Sequence, residues 1–412
     1  MPVAARLVTT VTAPLSSPPP TGRPDRPGQP HRPAQPAHSD RPGPLPFGLP
    51  QLRVFSGGRR LLVQQGDAEV GAVALGGAES PGVPVGAVRF PAPWPRRFGE
   101  VAVLPGLEVA VFAGTHALRA VAADGSTVWE VRHGCWVCGS LHPSFEAYAD
   151  DPRHRFPDGG SVTPGSDGTL LWAHVPGPLE GDDPGAANGH EWWLVLDAAS
   201  GRVLGRAVTE TVASGSVHLA GPDPSRMGLS IGVGEEGSPA LRGRWNGRRL
   251  VVERRAEERF LLAVSPSGRW LLEVDTGQWS LLLLDAESGE TLAELDAEGA
   301  VPPPHPHNST STSTSTSTSN DRVYWDFDAA FLDEDTLVAG TSESDQQSGR
   351  ARHWLVDVLT DPADSRPSGL ALRGEVAYPA GPVVAGAVVA AGSGTWATVA
   401  ADGGAVHLWE SA

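Results

Sequence analysis

The 412-residue chain sets 48 acidic side chains against 31 basic ones, for a formal charge of −17, and every basic residue is an arginine. A domain so acidic repels a phosphate backbone, which argues against nucleic acid as a partner; without lysine, Schiff-base, P-loop and kinase-type phosphate chemistry are excluded. With 50 glycines, 39 prolines, 40% hydrophobic residues and no apolar run long enough to cross a bilayer, the composition points to a large core of short strands joined by tight turns.

Residues 1–20 hold one arginine and no continuous apolar run before prolines intervene, a poor secretory leader. The expectation is a cytoplasmic, monomeric protein whose two cysteines stay reduced. Residues 1–50 carry five arginines against two aspartates, and proline recurs every few positions from Pro14 to Pro50. Too little apolar surface is available there to offset ordering, so 1–50 is expected to be a disordered proline-rich arm, a linker or an SH3-type ligand, and 51–412 the folded domain.

Strand-turn-strand units follow at 120–131 (AVAADGSTVWEV), 260–274 (FLLAVSPSGRWLLEV) and 395–409 (TWATVAADGGAVHLW). The segment Leu194-Val195-Leu196-Asp197-Ala198-Ala199-Ser200-Gly201 is echoed by Leu282-Leu283-Leu284-Asp285-Ala286-Glu287-Ser288-Gly289. Each reads as a hairpin in which Asp caps the turn and Gly takes positive φ. The two lie two blade-lengths apart at the spacing of propeller repeats, which places one whole blade between them, around 217–255. Units are expected to start near Arg53, Val103, Leu170, Val217, Phe260, Trp325 and Val383. The predicted fold class is all-β, a β-propeller of seven four-stranded blades. A low-complexity Ser/Thr loop at 301–320 is inserted between units, and its sequon at Asn308 would go unused in the cytoplasm.

Val264-Ser265-Pro266-Ser267-Gly268-Arg269-Trp270-Leu271 resembles the opening strand of WD repeats, and Asp402-Gly403-Gly404-Ala405-Val406-His407-Leu408-Trp409-Glu410 resembles their closing strand. Ala123-Asp124-Gly125-Ser126-Thr127-Val128-Trp129 is similar to the repeat of quinoprotein-like propellers. The resemblance spans about 51–412, lacks the Gly-His of strict WD repeats, and implies architecture rather than an activity.

Several motifs invite chemistry. Gly228-Leu229-Ser230-Ile231-Gly232 matches a nucleophile elbow, and Gly232-Val233-Gly234-Glu235-Glu236-Gly237 a dinucleotide loop, but neither is followed by the helix its chemistry needs. Both are expected to be blade segments. Cys135 and Cys138 form a C-x-x-C flanked by His133 and His142, a set that offers a zinc site with His154 as a spare ligand. Redox thiols and ordinary loop cysteines are the other readings of this pair, because no second close cysteine pair exists to complete a zinc ribbon. Asp326, Asp328, Asp333, Glu334 and Asp335 lack calcium-loop spacing and read as a strand with an acidic turn. His305, His307, His353 and His407 are scattered, and Trp193, Trp279 and Trp409 read as packing between blades rather than as a sugar platform.

No catalytic or cofactor-binding residues are assigned, and no cofactor is expected. The function that fits is a non-catalytic interaction scaffold binding an unidentified protein partner through loop surfaces, with no nucleic acid and no membrane involved. The alternative is a propeller enzyme, quinoprotein-like or hydrolytic, with its site at the central channel. Ring closure is expected from a strand near Leu52 to Phe55 joining the three strands of the C-terminal unit.

Overall fold

The computed structural model describes residues 2–15, 47–77, 82–155, 157–183, 190–234, 237–302, 323–343, 352–361, 363, 366–384 and 386–412. Strands dominate because the apolar runs are short and are punctuated by turns that the side chains themselves close. Asp197 accepts hydrogen bonds from the Ser200 amide at 2.9 Å and hydroxyl at 2.7 Å, and Gly201 follows at φ +69°. Asp285, Ser288 and Gly289 repeat the arrangement, with an amide bond of 2.7 Å and φ +76°. Both expected hairpins are present.

Six consecutive antiparallel sheets of four strands span residues 51–91, 99–132, 161–208, 215–256, 259–296 and 323–377. The fourth of these, 215–256, is the blade expected between the two hairpins. A seventh comprises Val389–Gly392, Thr395–Val399, Ala405–Ser411 and, outermost, Val3–Thr12. The fold is therefore a seven-bladed β-propeller.

Ring closure differs from the sequence expectation. Gln51–Val54 is the innermost strand of blade 1, paired with Arg60–Gln65, and takes no part in closing the ring. Closure is made by Val3–Thr12, which runs antiparallel to Ala405–Ser411 from Ala5 opposite Ser411 to Thr12 opposite Ala405. Its first residues also pair in parallel with the outer strand of blade 6, Val3 opposite Val376 and Ala4 opposite Ala377. The segment VAARLVTTVT is rich in β-branched residues and buries Ala5 and Val11, whereas the prolines that suggested an arm begin only at Pro14. Most of the expected arm, 16–46, and of the Ser/Thr tract, 303–320, lies outside the described residues, as do His305 and His307. Blade 3 begins at Ser161 rather than near Leu170, which starts its second strand.

Apolar side chains fill the seams between blades. Trp193 packs with Met227 and Leu229 between blades 3 and 4, Trp409 with Leu355 between blades 6 and 7, and the half-buried Trp279 ring meets Tyr324 of the next blade at 5.0 Å, the planes tilted by 53°. The seam between blades 4 and 5 is bridged differently, by Arg226 and Arg242 on Glu287 at 2.5 and 3.0 Å. Ser230 lies within the second strand of blade 4, where its hydroxyl accepts the Leu261 amide at 3.0 Å, so the expected blade reading of the elbow motif holds. Asp326 and Asp328 sit on the innermost strand of blade 6, and Asp333 turns the chain by accepting the Asp335 amide.

Candidate metal centre and channel mouth

The outer strand of blade 2, Thr127–Arg132, is joined to the inner strand of blade 3, Ser161–Pro164, by a long connection that carries both cysteines. It opens as a hairpin. Gly134 bridges Leu141, and the Cys135 amide donates to the Ser140 carbonyl at 2.9 Å. Within the tip, the Gly139 amide donates to the Cys135 carbonyl at 2.8 Å, and the Val137 amide points at Cys135 Sγ at 3.4 Å. Gly139 has φ +68°, a conformation a side chain would strain. The turn thus aims both sulfurs to the same side.

Two short 3-10 turns, Phe145–Ala147 and Pro152–His154, then fold the chain back over the sulfurs. Asp151 accepts the Arg153 amide at 3.0 Å and starts the second turn, which delivers His154. Cys135 Sγ lies 3.2 Å from His154 Nε2, and Cys138 Sγ lies 3.3 Å from His142 Nε2. One donor atom from each of the four side chains falls within 4.8 Å of the others. Cys135 and His154 are buried, His142 is half-buried and Cys138 is exposed. Burial pushes the Cys135 thiol up to about 11.

His133, which the sequence placed in this set, is not part of it. Its chain bridges Leu179, and its ring Nδ1 is 2.7 Å from the Gly134 carbonyl. The former spare, His154, takes its place beside Cys135.

Sequence reasoning missed the groups behind the histidines. Asp151 Oδ2 stands 3.6 Å from His154 Nδ1. The Tyr148 ring lies 4.8 Å from both the His142 and His154 rings, and its hydroxyl meets His116 Nδ1 at 2.8 Å. Asp151 and Tyr148 belong to no spacing pattern, so only the folded loop reveals them.

The end of the same connection, Pro157 to Gly160, walls one mouth of the central channel together with Arg97, Glu100, Val217 and Phe260, around a cavity of about 460 Å³. Enclosure by the ring pushes the Glu100 carboxyl up, partly offset by Arg53 on the neighbouring innermost strand. Asp158 is also raised, by burial and by the charge on Glu191. At the opposite mouth a cavity of about 420 Å³ is lined mainly by apolar residues, among them Phe55, Leu219, Phe331 and Val389.

No protein-family model matches the chain, and no curated protein matches it. Similar solved structures include the β-propeller domain of Cps50 (Swd1) from Myceliophteria thermophila, at 8% identity over 77% of this chain and 97% of that one, with a TM-score of 0.40. The β-propeller domain of the Trilobed protease from Pyrococcus furiosus is 8% identical over 89% and 93%, TM-score 0.40. BamB from Moraxella catarrhalis is 10% identical over 87% and 83%, TM-score 0.38.

Proposed function

We propose that the protein is a non-catalytic interaction scaffold, a cytoplasmic monomer that binds a protein partner at the channel mouth walled by residues 157–160. The observation that carries this reading is an apolar channel. Val217, on the wall of this mouth, is 50% exposed, and the exposed Phe327 ring meets Phe260 of the same wall at 5.0 Å, while exposed Val54 and Val389 line the opposite mouth. Exposed apolar side chains gathered in one concavity mark a binding surface. Glu100 and Asp158 on the rim, together with the acidic charge of the whole chain, favour a basic partner segment.

For the alternative of a hydrolytic site, the described inner strands offer a Ser–His pair, Ser161 Oγ to His218 Nδ1 at 2.8 Å. It is wired the wrong way for catalysis. The Trp193 indole N–H donates to His218 Nε2 at 3.0 Å, so the imidazole proton sits on Nδ1 and is donated to the serine, leaving no base to activate it.

The test is affinity purification of the full chain from native lysate, with the bound protein identified and its binding then measured with purified components. Binding lost in Val217→Glu and kept in Val128→Glu, on the outer strand of blade 2, supports the reading. Equal binding by the two variants, or no protein enriched over Val217→Glu, overturns it.

A further inference from the structure

We infer that Cys135, Cys138, His142 and His154 bind one zinc ion in a closed, structural site that fixes the connection between blades 2 and 3. Three observations converge on it.

First, the donor set is right in kind and in number. Two sulfurs and two imidazole nitrogens, grouped within 4.8 Å, fill every position of a tetrahedral ion. Zinc bonds of about 2.3 Å to sulfur and about 2.0 Å to nitrogen call for donors about 3.3–3.8 Å apart; the two Cys–His pairs stand slightly closer, at 3.2 and 3.3 Å, and the four donors together span at most 4.8 Å, so small side-chain shifts bring the set to that spacing. Mixed thiolate and imidazole ligands in tetrahedral array select zinc over the hard, oxygen-seeking cations.

Second, the backbone is already shaped for the ion. The Cys135–Gly139 turn directs an amide at Cys135 Sγ and relies on the positive φ of Gly139, and both sulfurs fall within the same 4.8 Å group of donors. A coordinated thiolate keeps that amide as a hydrogen-bond donor, which an apolar cysteine pocket would not supply.

Third, the histidines are backed as metal ligands are. With Nε2 of His154 facing the sulfurs, its other nitrogen, buried and without a hydrogen-bond partner, lies 3.6 Å from Asp151 Oδ2, a small side-chain shift from the carboxylate–histidine arrangement that orients a metal ligand. Arg153 holds that carboxylate in place, its guanidinium 2.6 Å from Asp151 Oδ2. Tyr148 fixes both imidazole planes from one side. The ion would cross-link the hairpin at 134–141 to the two single-turn 3-10 segments that follow it, holding the long connection in one conformation. The ion therefore acts through the loop on the channel mouth, and it stands independently of which partner docks there.

Zinc alone is the probe, with the full chain. Purified protein should contain one zinc per chain, and cobalt should replace it with the ligand-field absorption of a tetrahedral site and a thiolate-to-cobalt charge-transfer band. Chelation should lower the melting temperature, and added zinc should restore it. His154→Ala and the exposed Cys138→Ser should each lose stoichiometric binding while retaining the propeller's circular dichroism. Asp151→Asn should bind about 10–100-fold more weakly, and His133→Ala should keep its zinc. Substoichiometric zinc after refolding with excess metal, octahedral cobalt spectra, or zinc retained in His154→Ala but lost in His133→Ala would each overturn the assignment.

Discussion

Trp193 Nε1 donates to His218 Nε2 at 3.0 Å across the seam between blades 3 and 4, and this one bond fixes the tautomer of a buried imidazole. The proton is left on Nδ1, which donates to Ser161 Oγ at 2.8 Å, and that hydroxyl in turn faces Ser216 Oγ at 2.8 Å. The chain of bonds ties the inner strands of two blades together through atoms that water does not reach.

Trp193→Phe keeps most of the ring volume but leaves Nε2 unpaired in a dry site. The expected cost is about 1–3 kcal/mol in urea unfolding. Combining Trp193→Phe with His218→Leu should cost less than the sum of the two single changes, because the second removes the orphaned acceptor. Strict additivity would show that the seam does not depend on this bond.

Asp328 and His353 face each other at 3.7 Å beside the seam between blades 6 and 7, where Asp328 Oδ2 also accepts the Val388 amide at 3.0 Å. Tyr378 meets His353 Nδ1 at 2.7 Å and accepts the Trp396 indole N–H at 3.1 Å. Burial, with the nearby Asp326 charge, pushes the Asp328 carboxyl up from 3.8 to about 7, and burial pushes His353 down from 6.5 to about 4. Between pH 4 and 6.5 the folded pair is a neutral acid and a neutral imidazole, whereas the unfolded chain holds a carboxylate and an imidazolium. Both states bind the same number of protons, so the pair's contribution is flat across that window.

Single variants separate the two slopes. Relative to the parent, Asp328→Asn leaves the histidine term, so stability should rise with pH from 4 to 6.5 by up to about 1.4 kcal/mol per unit. His353→Gln leaves the aspartate term, and stability should fall with rising pH by a similar amount. Denaturant titrations at several pH values read both, and parallel profiles for the two variants would contradict the assignment.

Gly201 and Gly289 occupy equivalent turns at φ +69° and +76°, yet their surroundings differ. A Cβ at Gly201 would come within 2.4 Å of the Trp129 ring, whereas at Gly289 it would meet the flexible Arg255 guanidinium at 2.6 Å. Alanine at either site pays about 1–2 kcal/mol for the left-handed backbone. Only Gly201→Ala should add an overpacking penalty of about 1–3 kcal/mol. Equal melting temperatures for the two variants would show that the Trp129 contact yields freely.

What the sequence made legible was local. Asp197 and Ser200 form their turn from four consecutive residues, so the hairpin and its echo at Asp285 could be read directly, and their spacing implied the blade at 215–256. The C-x-x-C likewise announced two donors. What could not be read was long-range. Thr10 meets His407 Nδ1 at 3.0 Å across 397 positions, and nothing near Thr10 signals a strand partner so distant. The sequence groups His133 with the cysteines and leaves His154 as a spare, but a strand bridge to Leu179 turns His133 out of the cluster, while the Asp151 turn brings His154 in. Glu100 and Arg53 came together for the same reason, from adjacent inner strands far apart in the chain.

Closure of the ring by Val3–Thr12 is the claim on which the propeller stands, and paired truncations test it most directly. Leu15 and Phe47 both pack against Gly66, at 3.3 and 3.2 Å from where a Cβ would sit, so residues 16–46 can be replaced by a short Gly/Ser linker without straining either end. Thermal unfolding of that variant should match the full chain. Removing residues 1–13 should sharply lower the melting temperature, because the seven residue pairings that Val3–Thr12 makes with Ala405–Ser411 are lost and the outer edge of blade 7 is left open. Full-chain stability after removal of 1–13 would contradict the account.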